Sequence, residues 1–180
     1  SSFINTSSGI IQGISGEGIN GGQTNRGYVA IGASLFASDS ISTTFDNDGI
    51  IRGLSDTSYA RGVLESNKVG TFDNSGTILG QTDTNGATGM ESAYTSRSMD
   101  TLNNSGTISG VTGTNDAYGI QLYKSSYGTI NNSGTINATA TTSASYGVYL
   151  YGFYGGDATI TNFNNTGTIS ASSGTTNSYG

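Results

Sequence analysis

Carboxylates are the side chains in this chain with the clearest potential for catalysis or metal binding. Asp46 and Asp48 lie two residues apart, and Asp73 occupies a similar motif further on. Clustered carboxylates can serve acid/base hydrolysis of glycosidic bonds, and oxygen-rich turns can hold calcium. The chain has no His and only 6 Lys and Arg, and later copies of the motif carry Asn where Asp73 stands. We therefore expect a non-enzymatic protein without a metal site or cofactor, in which Asp46 and Asp48 belong to a solvated turn.

Tyrosine is the second residue type that could carry function. The chain has 11 Tyr and no Trp, and several of these rings crowd into its second half. Exposed aromatic clusters mark contact surfaces for sugars or for other proteins. The candidate contact surface comprises Tyr118, Tyr123, Tyr127, Tyr149, Tyr151, Phe153 and Tyr154. The alternative is that these rings lie over the fold and shield it.

Composition restricts the partners and the fold class. With 33% hydrophobic residues, 10% charged residues and 29 Gly, the chain is either a low-complexity segment or a β-solenoid with a thin core. Regularly spaced Ile, Leu, Val and Phe favour the solenoid. A net charge of −6 argues against nucleic acid or an anionic membrane as partner. No apolar run approaches the roughly 18 residues that a membrane span requires.

A corner motif recurs along the chain and organises it. Asn-Asn-Ser-Gly-Thr-Ile at 131–136 returns at 103–108, and as Asn-Asn-Thr-Gly-Thr-Ile at 164–169. A second anchor, exemplified by Tyr-Gly-Ile at 118–120, follows each corner. The interval between the two anchor glycines is 13 residues in each of the five later rungs, as from Gly49 to Gly62, but 18 residues from Gly9 to Gly27, and the return path varies. One fixed arm and one variable arm are typical of solenoid rungs.

These intervals predict an all-β protein, a right-handed parallel β-helix with three strands per rung. We expect about five to six rungs of roughly 27–33 residues, stacked about 4.8 Å apart. The prediction is one solenoid domain over 1–180, with an irregular first rung at 1–44, regular rungs at 45–180 and an incomplete last rung. The corner glycine is expected to supply a positive φ.

Alternation of side chains along each strand predicts two inward columns. The core column is Ile51, Ile78, Ile108, Ile136 and Ile169. The second residue of each Asn pair is expected to form a hydrogen-bonded ladder, the alternative being a plain turn-forming Asn. Its members are Asn47, Asn74, Asn104, Asn132 and Asn165.

The Asn-Ser-Gly-Thr-Ile and Tyr-Gly-Ile units resemble the passenger repeats of bacterial autotransporter adhesins and related filamentous surface proteins, over roughly residues 3–180. The resemblance implies an extracellular or cell-surface location and often an adhesive role. The expected function is a structural subunit that stacks head to tail into a surface fibre. The expected partner is the protein itself, or else the rest of a longer solenoid. The alternative is an adhesin segment that binds glycans through Tyr-rich loops.

Overall fold

The computed structural model describes residues 2–15, 19–20, 23–24, 29–35, 44–65, 69–92, 99–123, 126–152 and 157–180. These residues form short strands throughout. In chain order the strands are β1 (Ser2–Asn5), β2 (Ile10–Ser15), β3 (Ile19–Asn20), β4 (Gln23–Thr24), β5 (Ala30–Leu35), β6 (Thr44–Asn47), β7 (Ile50–Ser55), β8 (Ala60–Glu65), β9 (Val69–Asn74), β10 (Thr77–Thr82), β11 (Ala87–Ser92), β12 (Met99–Asn104), β13 (Thr107–Thr112), β14 (Ala117–Tyr123), β15 (Ser126–Asn132), β16 (Thr135–Ala140), β17 (Ser145–Tyr151), β18 (Thr159–Asn165), β19 (Thr168–Ser173) and β20 (Ser178–Tyr179).

The strands assemble into three parallel sheets of six strands each. The first sheet runs β1-β6-β9-β12-β15-β18, the second β2-β7-β10-β13-β16-β19 and the third β5-β8-β11-β14-β17-β20. Each rung contributes one strand to each sheet, which confirms the predicted β-solenoid with three strands per rung. Four regular rungs, β6 to β17, lie between the first rung and the last. The handedness of the coil stays a prediction.

The irregular first rung contains an additional element. Between β2 and β5, the short strands β3 and β4 pair antiparallel, with Ile19 opposite Thr24 and Asn20 opposite Gln23. This pair lies outside the three main sheets. It accounts for the unusual length of the first rung, because a local excursion adds residues without altering the stack.

The core is a narrow apolar column along the axis. Ile51, Ile78, Ile108 and Ile136 are fully buried and stand directly opposite one another in the second sheet. Burying an isoleucine side chain stabilises the fold by roughly 1.5–3 kcal/mol. Ile169 packs against the same core but is only partly buried, because it lies in the last rung, where no described strand covers it.

The corner glycines are required for a reason that the sequence did not indicate. None of Gly76, Gly106 and Gly134 adopts a positive φ, so the expected left-handed turn is wrong. A Cβ at Gly106 would instead overlap the carbonyl oxygen of Gly76, and one at Gly134 would overlap that of Gly106. The corners stack so closely that any side chain would collide with the backbone of the preceding rung.

Tyr127 and Tyr123 differ from the prediction that they form part of an exposed contact surface. Tyr127 is only 1% exposed and belongs to the core cluster. Its hydroxyl donates to the carbonyl of Tyr123 at 2.8 Å and lies 2.6 Å from the Ser92 hydroxyl. Strict alternation from Ile130 would turn Tyr127 outward. Tyr127 instead occupies the buried position that Met99 and Val69 hold in the two preceding rungs, so this sheet departs from strict alternation in all three of these rungs. Tyr123 is also buried, at 8% exposure.

Candidate functional site

An inner asparagine ladder runs along the corner between the first and second sheets. Each Asn side chain donates from Nδ2 to Oδ1 of the Asn one rung further on. The sequence separations along the regular ladder are 27, 30, 28 and 33 residues, and the distances are all 2.7 Å, from Asn47 through Asn74, Asn104 and Asn132 to Asn165. Asn5, which the sequence analysis left out, begins the ladder by donating to Asn47 at 2.8 Å. Asn165, in the last rung, is exposed.

An outer ladder runs beside the inner one, built from the first residue of each Asn pair. Asn164 donates to Asn131 and Asn131 to Asn103, both at 2.8 Å, and Asn103 donates to the Asp73 carboxylate at 2.7 Å. The donors of the outer ladder point towards the first rung, whereas those of the inner ladder point towards the last. The inner and outer ladders occupy neighbouring positions of the same strands. Their side-chain dipoles therefore point in opposite directions along the solenoid.

The carboxylates lie where the outer ladder ends. Asp46 stands opposite Asp73 in the first sheet. Burial raises the pKa of Asp46 above its ordinary value of 3.8, and the charges of Asp48 and Asp73 raise that pKa further. Asp48 accepts a hydrogen bond from the Ser75 hydroxyl, and Asn47 is committed to the inner ladder. Within the described ranges, no cluster of three or more His, Cys, Asp or Glu could hold a metal ion.

A tyrosine column covers the outer side of the third sheet at its last three rungs. The rings of Tyr118 and Tyr146 stack at 5.3 Å with a 10° interplanar angle, and those of Tyr146 and Tyr179 stack at 5.2 Å and 9°. Tyr149 leans on this column, with its ring 4.8 Å from Tyr146 and 5.4 Å from Tyr118. Tyr151 contacts Tyr149 at 6.0 Å.

The parallel pairing of the third sheet places Tyr118 opposite Tyr146 and Tyr146 opposite Tyr179. The rings stack because equivalent residues of successive rungs lie opposite one another. Burial, followed by the nearby charge of Asp116, raises the pKa of Tyr118 and of Tyr146. The Tyr118 hydroxyl also donates to Asp116 at 3.3 Å. The hydroxyls of Tyr118 and Tyr146 are therefore neutral at physiological pH.

A groove opens where the tyrosine column stops. It has a volume of about 380 Å³. Its lining is Tyr59, Arg61, Glu91, Tyr118, Gln121, Tyr123, Tyr149 and Tyr151. One rung before Tyr118 the column position holds Thr88, and one rung earlier it holds Arg61. Thr88 is itself buried, so the ring column ends at Tyr118 and the groove lies beside that end.

The base of the groove is polar and ordered. The Nε of Arg61 donates to the Glu91 carboxylate, and the guanidinium lies 5.5 Å from the centre of the Tyr59 ring. Glu91 is 3% exposed, so the ion pair is largely withdrawn from water. The Thr88 hydroxyl donates to Gln121 Oε1 at 3.4 Å. Fixed donors and acceptors thus lie between aromatic walls.

The structure brings together part of the predicted contact surface. Tyr118, Tyr149 and Tyr151 lie on one face and line the groove, while Tyr123 contributes only a largely buried side chain. Phe153 and Tyr154 lie outside the described residues. Sequence reasoning missed Tyr59, Arg61 and Glu91. Their only signal was the in-register alignment of Ala-Arg-Gly, Ala-Thr-Gly and Ala-Tyr-Gly in successive rungs.

Comparisons with known proteins identify no relative. No family model, no curated protein and no solved structure matches the chain. Among the residues that the structure describes, no helix has the length and apolarity needed to cross a membrane.

Proposed function

We propose that this chain is a non-enzymatic structural protein of the cell exterior, a β-solenoid that stacks head to tail on further copies of itself in a surface fibre or appendage. The observation that carries the proposal is the polarity of the inner ladder. At one end the Asn5 side chain donates to the next rung, which leaves its oxygen free to accept. At the other end, Asn165 accepts from Asn132, and its amide nitrogen has no acceptor among the described residues.

Apolar residues at the last rungs support the same mode of contact. Phe163 continues the inward column of Phe45, Phe72, Leu102 and Ile130, yet it is 40% exposed. Leu150 is also exposed. The first rung of a second copy would cover both side chains and pair with the open strands β18 and β19. Repeated head-to-tail contact that does not close produces filaments. The extracellular location rests on the resemblance of the repeats to autotransporter passengers.

Electron microscopy and light scattering over a concentration series test the proposal. We expect filaments with the solenoid axis along their length. Phe163→Lys places a charge in the stacking face and should leave discrete particles, whereas Thr166→Lys, at an exposed corner position, should leave filaments unchanged. If the wild-type protein forms only discrete particles at every concentration, the proposal of a homopolymer is wrong. The end faces would then be explained by the rungs of a longer continuous solenoid.

An adhesin segment is the second candidate function. The tyrosine column and the adjoining groove favour it, because aromatic surface beside fixed hydrogen-bonding groups is the usual make-up of a small-ligand site. In this role the solenoid would hold the contact surface away from the cell, and surface glycans would be the partner. Glycan binding by the purified chain tests this candidate independently of filament formation.

A further inference from the structure

The groove at the end of the tyrosine column is a feature that a structural rod does not require. Tyr146 covers one face of the Tyr118 ring, and on the opposite side the column continues with Thr88 rather than with another ring. Tyr59 and Arg61 close the far side of the groove. The groove is therefore a slot with the Tyr118 ring on one side.

The size of the slot limits its occupant to a small ring or two. Ligand sites in proteins usually measure roughly 300–1,000 Å³, and the groove, at about 380 Å³, lies at the lower end of that range. One or two pyranose rings fit this volume. A folded protein partner or an extended chain of aromatic groups does not.

The electrostatics of the slot select a neutral ligand. The charge of Arg61 is matched by that of Glu91 in a direct ion pair, so the base offers no net charge to an anion or a cation. The chain as a whole carries −6, which disfavours phosphate and nucleotide ligands. The Tyr118 hydroxyl remains protonated because burial and the charge of Asp116 raise its pKa.

The hydrogen-bonding groups match hydroxyls that both donate and accept. Among the described residues, Arg61 uses only Nε in its contact with Glu91, so its terminal nitrogens remain donors. The second Glu91 oxygen remains an acceptor, and Gln121 adds a side-chain amide beside them. A guanidinium next to a carboxylate presents donors and acceptors side by side, which suits a pair of neighbouring sugar hydroxyls.

We propose that this groove binds a neutral saccharide, with one pyranose ring against the free face of Tyr118 and neighbouring hydroxyls on Arg61 and Glu91. The apolar C–H face of the sugar then packs on the aromatic ring, and its polar edge satisfies the buried ion pair. This proposal deepens the adhesin role by assigning it a site and a ligand class. It does not depend on whether the chain forms fibres.

The test is an array of neutral, sialylated and sulfated oligosaccharides, followed by calorimetry with the strongest neutral binder. Thr88→Tyr fills the slot by extending the column below Tyr118 and should weaken binding at least tenfold. Tyr179→Thr is the matched control, because it makes the reverse exchange at the far end of the same column, and it should change affinity less than twofold. Glu91→Gln removes the charged acceptor while keeping the shape and should also weaken binding at least tenfold.

The outcomes separate the site from the wider role. The proposal is supported if a neutral saccharide binds the wild-type protein, and if Thr88→Tyr abolishes this binding while Tyr179→Thr retains it. If Thr88→Tyr does not change the binding of neutral saccharides, the groove is not the binding site, and the adhesin role would then depend on another part of the chain. Binding confined to charged saccharides overturns the ligand class. No binding to any saccharide overturns both the site and the adhesin candidate, with circular dichroism verifying that each variant is folded.

Discussion

Asp46 is the residue at which the repeated corner departs most from its own pattern. Later rungs carry Asn at the outer position, whereas the first regular rungs place Asp46 opposite Asp73. Burial and the two neighbouring carboxylates raise the pKa of Asp46, so the folded state binds its proton more tightly than the unfolded state does. The stabilising contribution of Asp46 is therefore present at low pH and is lost as the pH rises from 3.8 through the raised pKa.

Asp46→Asn should raise the melting temperature at neutral pH. The substitution removes the repulsion and supplies an amide that can donate to Asp73 from the rung before it. The difference from wild type should be smallest near pH 3 and should grow as the pH rises towards neutrality. Thermal melts from pH 3 to pH 8 measure it. Asp56→Asn, an exposed position with the same change in net charge, is the control; an equal effect there would mean that only net charge matters.

The two ladders should differ in energetic value because they differ in access to water. Asn104→Ala removes a buried side chain from the inner ladder, leaves Asn132 Oδ1 without its donor, and leaves Asn74 Nδ2 only its longer bonds to the carbonyls of Gly76 and Thr107. Unsatisfied buried groups cost roughly 1–3 kcal/mol each, so we expect a loss of about 3 kcal/mol in the free energy of unfolding.

Asn103→Ala is the matched comparison for Asn104→Ala, since it interrupts the outer ladder at the adjacent position. Its partners Asp73 and Asn131 are only partly buried and can bond to water instead. We expect a loss below about 1 kcal/mol. Urea denaturation of the two variants measures both values. Equal losses would contradict the assignment of the inner ladder as the stabilising column.

At the level of the corner element, Gly106→Ala tests the close stacking of rungs. A methyl group at this position would overlap the Gly76 carbonyl oxygen, which is backbone and cannot rotate away. We expect a loss of about 2–3 kcal/mol. Ser105→Ala, at the exposed neighbouring position, should stay within about 0.5 kcal/mol. A tolerated Gly106→Ala would mean that the corner has room to relax.

The sequence contained enough information for the elements but not for every side chain. Alternation located the buried Ile108 and the ladder residue Asn104, because both follow from period two beside a fixed corner. The outer ladder was missed because a solvent-facing Asn leaves no hydrophobic signal. Tyr127 was grouped with the clustered tyrosines, whereas it holds the buried position that Met99 occupies one rung earlier.

The groove could not be predicted from sequence for a different physical reason. Arg61 and Glu91 are 30 residues apart and meet only because two rungs stack in register. Tyr59 precedes its strand, and its ring reaches over Gly86 of the next rung. A site made from different rungs depends on the exact stacking of each level, and the variable return arm obscures that stacking in the sequence.

At the scale of the whole molecule, the solenoid is a one-dimensional stack in which each rung contacts chiefly its neighbours. Backbone hydrogen bonds at each corner join one rung to the previous one, as Gly106 N to Asn74 O and Gly134 N to Asn104 O, both at 3.0 Å. Equivalent contacts recur from rung to rung, so any rung can in principle lie on any other. The fold should therefore tolerate loss of a whole rung but not of half a rung.

Deletion of residues 105–132 should give a folded protein one rung shorter. The cut joins Asn104 to Ser133 and restores the corner sequence Asn-Asn-Ser-Gly-Thr-Ile, so Asn104 can donate to Asn165 in the new stack. Deletion of 105–118 removes fewer residues but joins Asn104, at a corner, to Gly119, within strand β14 of the third sheet. This deletion should abolish cooperative unfolding. Circular dichroism and thermal melts decide between them. If the shorter deletion were the better tolerated, register would not govern this fold, and the stack would not be modular.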